Sequence, residues 1–228
     1  MNAAVLIIFV VMLVTLYRQY RHANRYNAEA RAQLFDACSS LLQKVQKSQD
    51  QAGLPVLQGD YADYKVGLSV VVDTLGWRKV PPMWLLIKVE ANTPSIGTLD
   101  YIVRPTNNEF YSPSWQWDGV LTIPSAWPQH AILKYQQQPV DLTLLEAHVP
   151  TLFADANMKE LLLTPQMVRL TYLVKQAERG EYLIMRNAIY ENTPIASDVV
   201  ARLLKQAIAI RQNVEYSDIS QIKLKKLG

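Results

Sequence analysis

The chain has 228 residues, half of them hydrophobic and 19% charged, which excludes a disordered chain and suits one domain with an added segment. The formal net charge is +3, and residues 1–33 alone carry +3, with Arg18, Arg21, Arg25 and Arg31 against Glu29. The body is therefore near neutral, which argues against a nucleic-acid-binding domain, whose basic excess sits on its folded surface.

Ala3 to Tyr17 is an uncharged run of 15 residues in which Val5, Leu6, Ile7, Ile8, Phe9, Val10, Val11 and Leu13 supply the apolar surface. As a helix it spans about 22 Å against a hydrocarbon core of about 30 Å. Tyr17 and Tyr20 suit headgroup level, and Arg18 and Arg21 can snorkel toward the phosphates. Residues 1–18 are thus expected to be a single transmembrane anchor. A cleaved signal peptide competes, but no Lys or Arg precedes the run. Its small-x-small triplets, Ala28–Ala30 and Ala30–Ala32, also lie beyond the basic stretch. A buried core helix would show a polar face, which this run lacks. Only the α-amino group precedes the run and four arginines follow it. That asymmetry predicts an inner-membrane protein of bacterial type, N-terminus outside and the remaining chain in the cytoplasm.

Residues 19–51 predict a membrane-proximal helix, with an apolar stripe at Leu34, Cys38, Leu41, Leu42 and Val45 that ends before Gly53 and Pro55. The stripe packs on the domain or pairs with another helix; it is short for a coiled coil. Residues 52–60 read as a linker, residues 61–216 as the soluble domain and residues 217–228 as a basic tail. Strand signals follow at Lys65–Asp73, Met83–Ala91, Leu99–Arg104, Leu121–Ile123, Ala131–Tyr135, Glu160–Thr164, Met167–Val174 and Glu181–Asn187. The last two flank Arg179–Gly180 in the form of a hairpin. Helices are expected over Leu142–Ala156, where Pro150 interrupts, and over Ser197–Asn213 with Ser197 as its cap. Strands grouped ahead of helices predict an α+β fold with a largely antiparallel sheet and two main helices. Asp100–Arg104 and Glu181–Arg186 echo one another, which allows two pseudo-repeated halves.

No phosphate-cradling glycine motif, HExxH, CxxC or nucleophile elbow occurs. His22, His130 and His148 lack ligand spacing, and Cys38 is the only cysteine. Asp73, Glu90, Asp100 and Asp118 are free to meet in space, but their spacing signals no acid–base pair. No cofactor, metal or catalytic residue is therefore assigned. Two segments stand out. Trp77 to Trp84 holds the adjacent cations Arg78 and Lys79, either a solvated hairpin connection or a contact for anionic headgroups or an acidic partner. Phe110 to Trp127 carries Trp115, Trp117 and Trp127, either a loop folded over the domain or a partner-binding surface. The sequence thus points to a membrane-anchored interaction module, an accessory, assembly or scaffolding subunit whose partners are the bilayer and a membrane protein complex. A tethered sensor or carrier of a small apolar or anionic ligand is the alternative, and an enzyme without short motifs ranks third.

Overall fold

The computed structural model describes residues 8–18, 21, 31–75, 80–94, 96–106, 109–180, 182 and 188–227, with side-chain surroundings up to residue 217. Among the described residues nine strands form one antiparallel sheet: β1 (Gln43–Gln49), β2 (Pro55–Tyr61), β3 (Tyr64–Val72), β4 (Pro82–Glu90), β5 (Thr98–Val103), β6 (Gly119–Val120), β7 (Ala131–Gln136), β8 (Met158–Thr164) and β9 (Met167–Gln176). The spatial order is β1-β2-β3-β4-β9-β8-β5-β7-β6. The first four strands form a meander, and the β8–β9 hairpin fills the gap between β4 and β5. Among the described residues the main helices are α1 (residues 8–18), α2 (Val149–Phe153) and α3 (Ser197–Leu227), with further helical residues at 31–32 and at 179, 180 and 182.

Strand alternation sorts the side chains onto two faces. On the inner face Leu68, Leu85, Ile87, Leu161, Leu163 and Leu170 are fully buried. Against them α3 lays Val200, Leu203, Leu204, Ala207, Ile210 and Val214, a stripe at helical spacing. Each buried aliphatic contributes roughly 1.5–3 kcal/mol by leaving water. Near α2, Tyr101 packs edge-on against Trp127 (5.2 Å between ring centroids) and Phe153 (4.9 Å), and its hydroxyl donates to the Pro128 carbonyl at 2.7 Å.

The α+β class and the antiparallel sheet agree with the sequence reading, and several boundaries are corrected. The helix expected to reach Gln51 gives way to a 3₁₀ turn at Asp36–Leu41 and then to β1. Leu34, Cys38 and Leu42 are buried as their spacing implied, but Val45 is exposed on a strand. Pairing with β2 outweighs helical propensity there, and Lys44 and Lys47 guard the open edge. The expected linker 52–60 is mostly β2, with Leu57 in the core. Its turn is set by Gly53 at φ +71° and by Asp50, whose Oδ1 accepts from the amides of Ala52 and Leu54. Arg179, Gly180 and Tyr182 are helical, and the rest of the strand expected at Glu181–Asn187, with the echo of Asp100–Arg104 that rests on it, lies outside the described residues. Leu142–Ala156 splits into a 3₁₀ turn and the short α2. Residues 217–227, expected as a tail, continue α3.

The side chains of α1 are exposed throughout. Among the described residues no helix is long and apolar enough to cross a membrane. Of the expected span and its flank, Val5, Leu6, Ile7 and Tyr20 lie outside the described residues.

Candidate functional site

The outer face of the sheet is where charge collects. Register places Leu86, Thr171, Glu160, Ile102 and Ile132 in one cross-strand row over β4, β9, β8, β5 and β7. The adjacent row is Lys88, Arg169, Leu162, Asp100 and Lys134. Diagonal neighbours across these rows are within reach of long side chains.

Glu160 is fully buried, and the Arg169 guanidinium donates to both of its carboxylate oxygens at 3.0 Å. The Thr171 hydroxyl adds a further donor to Oε2. Asp100, 1% exposed, accepts from the Ser112 hydroxyl, which lies 2.9 Å from that of Ser114. Its Oδ1 has no hydrogen-bond partner among the described residues. Burial, and then the negative charge of Glu160, push the Asp100 carboxyl up to about 8 against the opposing pull of Ser112, Ser114 and Arg169. Burial and Glu160 thus favour the protonated form of Asp100.

A bulge in β8 adds a second ion pair. Lys159 is the extra residue between Met158 and Glu160, so it projects to the same side as Glu160. Its ammonium pairs with Glu109 at 2.8 Å, donates to the Arg104 carbonyl at 2.7 Å and lies 6.0 Å from the Trp84 ring centroid. Burial pushes Glu109 up, but hydrogen bonds from Lys159 and Thr106 and the Lys159 charge outweigh it, holding the carboxyl below its usual range. Tyr111 covers Trp84 with ring centroids 6.3 Å apart. Burial and the carboxylates of Glu160, Glu109 and Asp100 push its hydroxyl far up.

Residues 104–106 and 109–118 form a roof over these residues. Ser112 caps the 3₁₀ turn Pro113–Gln116 by accepting from the Ser114 amide at 3.1 Å. Between roof and sheet lies a cleft of about 550 Å³, within the range typical of small-molecule sites. Ile102 and Ile132 line it from the sheet, Ser112 and Ser114 from the roof. Leu75, Phe110 and Trp115 line it as well, and all three are exposed. Lys134 donates to the Ser114 carbonyl at 3.1 Å and makes no ion pair among the described residues. Glu109 is the one carboxylate in the lining, and Lys159 and Thr106 engage it. A second depression, of about 510 Å³, lies beside β9, where Lys175 is already committed to the Glu191 carbonyl at 2.7 Å.

The aromatic candidates divide. Trp115 is 70% exposed at the cleft, whereas Trp117 (7%) and Trp127 (2%) are buried. Trp117 turns inward because residues 113–116 form a 3₁₀ turn and break the extended geometry that would put it beside Trp115. Arg78 and Lys79 lie outside the described residues. Of the four carboxylates singled out, only Asp100 joins the network; Glu90 is exposed beside Lys88 at 3.7 Å. Sequence reading missed Glu160, Arg169, Lys159 and Lys134. The available signal was a Lys-Glu pair opening an otherwise apolar strand, Met158–Thr164, which is buried along nearly all its length. Among the described residues no group of three His, Cys, Asp or Glu side chains is placed to hold a metal ion. Comparison of the chain with protein-family models, curated proteins and solved structures found no match.

Proposed function

We propose that this chain is a membrane-tethered binding protein that takes a small ligand in the outer-face cleft. The observation that carries the reading is an open cleft with isoleucines on one side, serine hydroxyls on the other and the unpaired Lys134 among them. Binding is favoured over catalysis because Asp100 and Glu160 are absent from the lining. Glu109, which does line it, is held by Lys159. The network then serves to fix the roof and the floor. The tether is supported by the uncharged run Ala3–Tyr17, by its arginine flank and by the exposed side chains of α1. The arginines favour a cytoplasmic domain at the inner membrane.

Extraction of the full-length protein from its own membranes in polymer nanodiscs, without detergent, followed by mass spectrometry of bound small molecules, tests this reading. A ligand retained by the wild type and lost from Ile132→Trp, which fills the cleft, is the expected result. Recovery of the protein in the soluble fraction, or no ligand at all, overturns it. Orientation needs a reporter other than Cys38, which is fully buried with its thiol pushed up to about 11 by burial. Gln51→Cys, in the exposed β1–β2 turn, should resist an impermeant thiol reagent added outside intact cells.

A second reading rests on Trp115, Phe110, Leu75 and Val120, which are exposed large hydrophobics. As an anchor patch they suit an accessory, assembly or scaffolding subunit docked on a membrane protein complex. A stoichiometric protein in the same nanodisc preparation, with no small molecule, favours that reading.

A further inference from the structure

The cleft joins an apolar body to one uncompensated cation. Ile102, Ile132 and Phe110 offer aliphatic and aromatic surface along it. Glu109 is neutralised by Lys159 at 2.8 Å, and Glu160 by Arg169 at 3.0 Å. Lys134, on β7, donates to the Ser114 carbonyl and makes no ion pair among the described residues. Its cross-strand neighbour Asp100 turns to the Ser112 hydroxyl and gives Lys134 no hydrogen bond. From charge complementarity we propose that the cleft binds a free fatty carboxylate, its carboxylate on Lys134 and the Ser114 hydroxyl, its chain along Ile102, Ile132 and Phe110 toward Trp115. This rests on the small-ligand reading given above. A charge-assisted hydrogen bond from an ammonium is roughly twice as strong as a neutral one. The Ser112 hydroxyl is committed to Asp100, and the Ser114 hydroxyl rotates to donate to the ligand carboxylate. A cationic amphiphile would oppose Lys134 and lack an acceptor for it. A neutral one would leave that charge unanswered.

Full-length protein in lipid nanodiscs, labelled with 5-fluorotryptophan, gives fluorine resonances from its five tryptophans, of which Trp115 reports the cleft. Titration with dodecanoate, dodecanol and dodecyltrimethylammonium should shift the Trp115 signal saturably, with dodecanoate binding at least tenfold more tightly than either of the others. Lys134→Gln should weaken dodecanoate at least tenfold, Lys134→Arg should restore it, and Lys44→Gln on the far edge should change nothing. Unchanged buried Trp117 and Trp127 signals show that each variant is folded. Equal binding of dodecanol and dodecanoate, or unchanged dodecanoate binding in Lys134→Gln, overturns the carboxylate assignment and leaves the cleft as a ligand site. If none of the three probes moves Trp115, the small-ligand reading falls with it.

Discussion

Arg169→Met should destabilise the fold more than any other single charge removal on the outer face. Glu160 has no exposed surface, and its carboxylate is held by two Arg169 contacts at 3.0 Å and by Thr171. Removing the guanidinium leaves a buried carboxylate close to Asp100, whose raised ionisation already records the effect of Glu160. Breaking a buried pair from one side costs about 3–5 kcal/mol. For a chain of this size that corresponds to a fall in Tm of roughly 6–20 °C. Replacing both members, Glu160→Leu with Arg169→Leu, removes the stranded charge and often proves neutral or stabilising by about 1–4 kcal/mol. Ile102, opposite Glu160 in that row, gives the new leucine an aliphatic neighbour. Scanning calorimetry of the full-length protein in nanodiscs gives all three Tm values. A single variant within about 1 kcal/mol of wild type, or a double variant as unstable as the single, would refute the reasoning.

Asp100→Asn should flatten the pH dependence of stability. The folded carboxyl titrates at about 8, above its unfolded value of 3.8, so its stabilisation is complete below about pH 4 and is lost as pH rises through 8. The wild type should therefore lose stability across that window, on the order of a few kcal/mol, and the asparagine variant much less. An infrared carboxylic-acid band at pH 7 that is absent from Asp100→Asn checks the protonated state directly. Trp115, on the roof, and Trp127, in the core beyond it, should also part company. Trp127→Ala should cost about 3–5 kcal/mol through the cavity it leaves beside Tyr101. Trp115→Ala should stay within about 0.5 kcal/mol of wild type while weakening dodecanoate, as read by thermal unfolding and by titration.

The sheet was legible because its central strands alternate or are apolar throughout: β3, β4, β5, β7, β8 and β9 lie where Val, Leu and Ile runs announce them. One segment misled: Gln43–Gln49 is polar and helix-favouring, and its pairing with Pro55–Tyr61 makes it a strand. The cleft was visible in part. Trp115 and Asp100 stood out by residue type, but the pairing of Glu160 with Arg169 depends on the β8–β9 hairpin register. The freedom of Lys134 depends on where the roof carries Ser112 and Ser114. Those are tertiary facts, and no local pattern encodes them. Trp117 and Trp127 show the converse: large aromatics in a Pro-punctuated stretch read equally well as surface or core until the roof is placed.

The measurement that bears most directly on the cleft is hydrogen–deuterium exchange of the full-length protein in nanodiscs, with and without dodecanoate. Ligand held between roof and sheet should slow exchange across residues 104–118 and in β7, and leave α3 and β1 unchanged. Unaltered exchange at the roof, or protection appearing instead along α3, would contradict a binding site on the outer face.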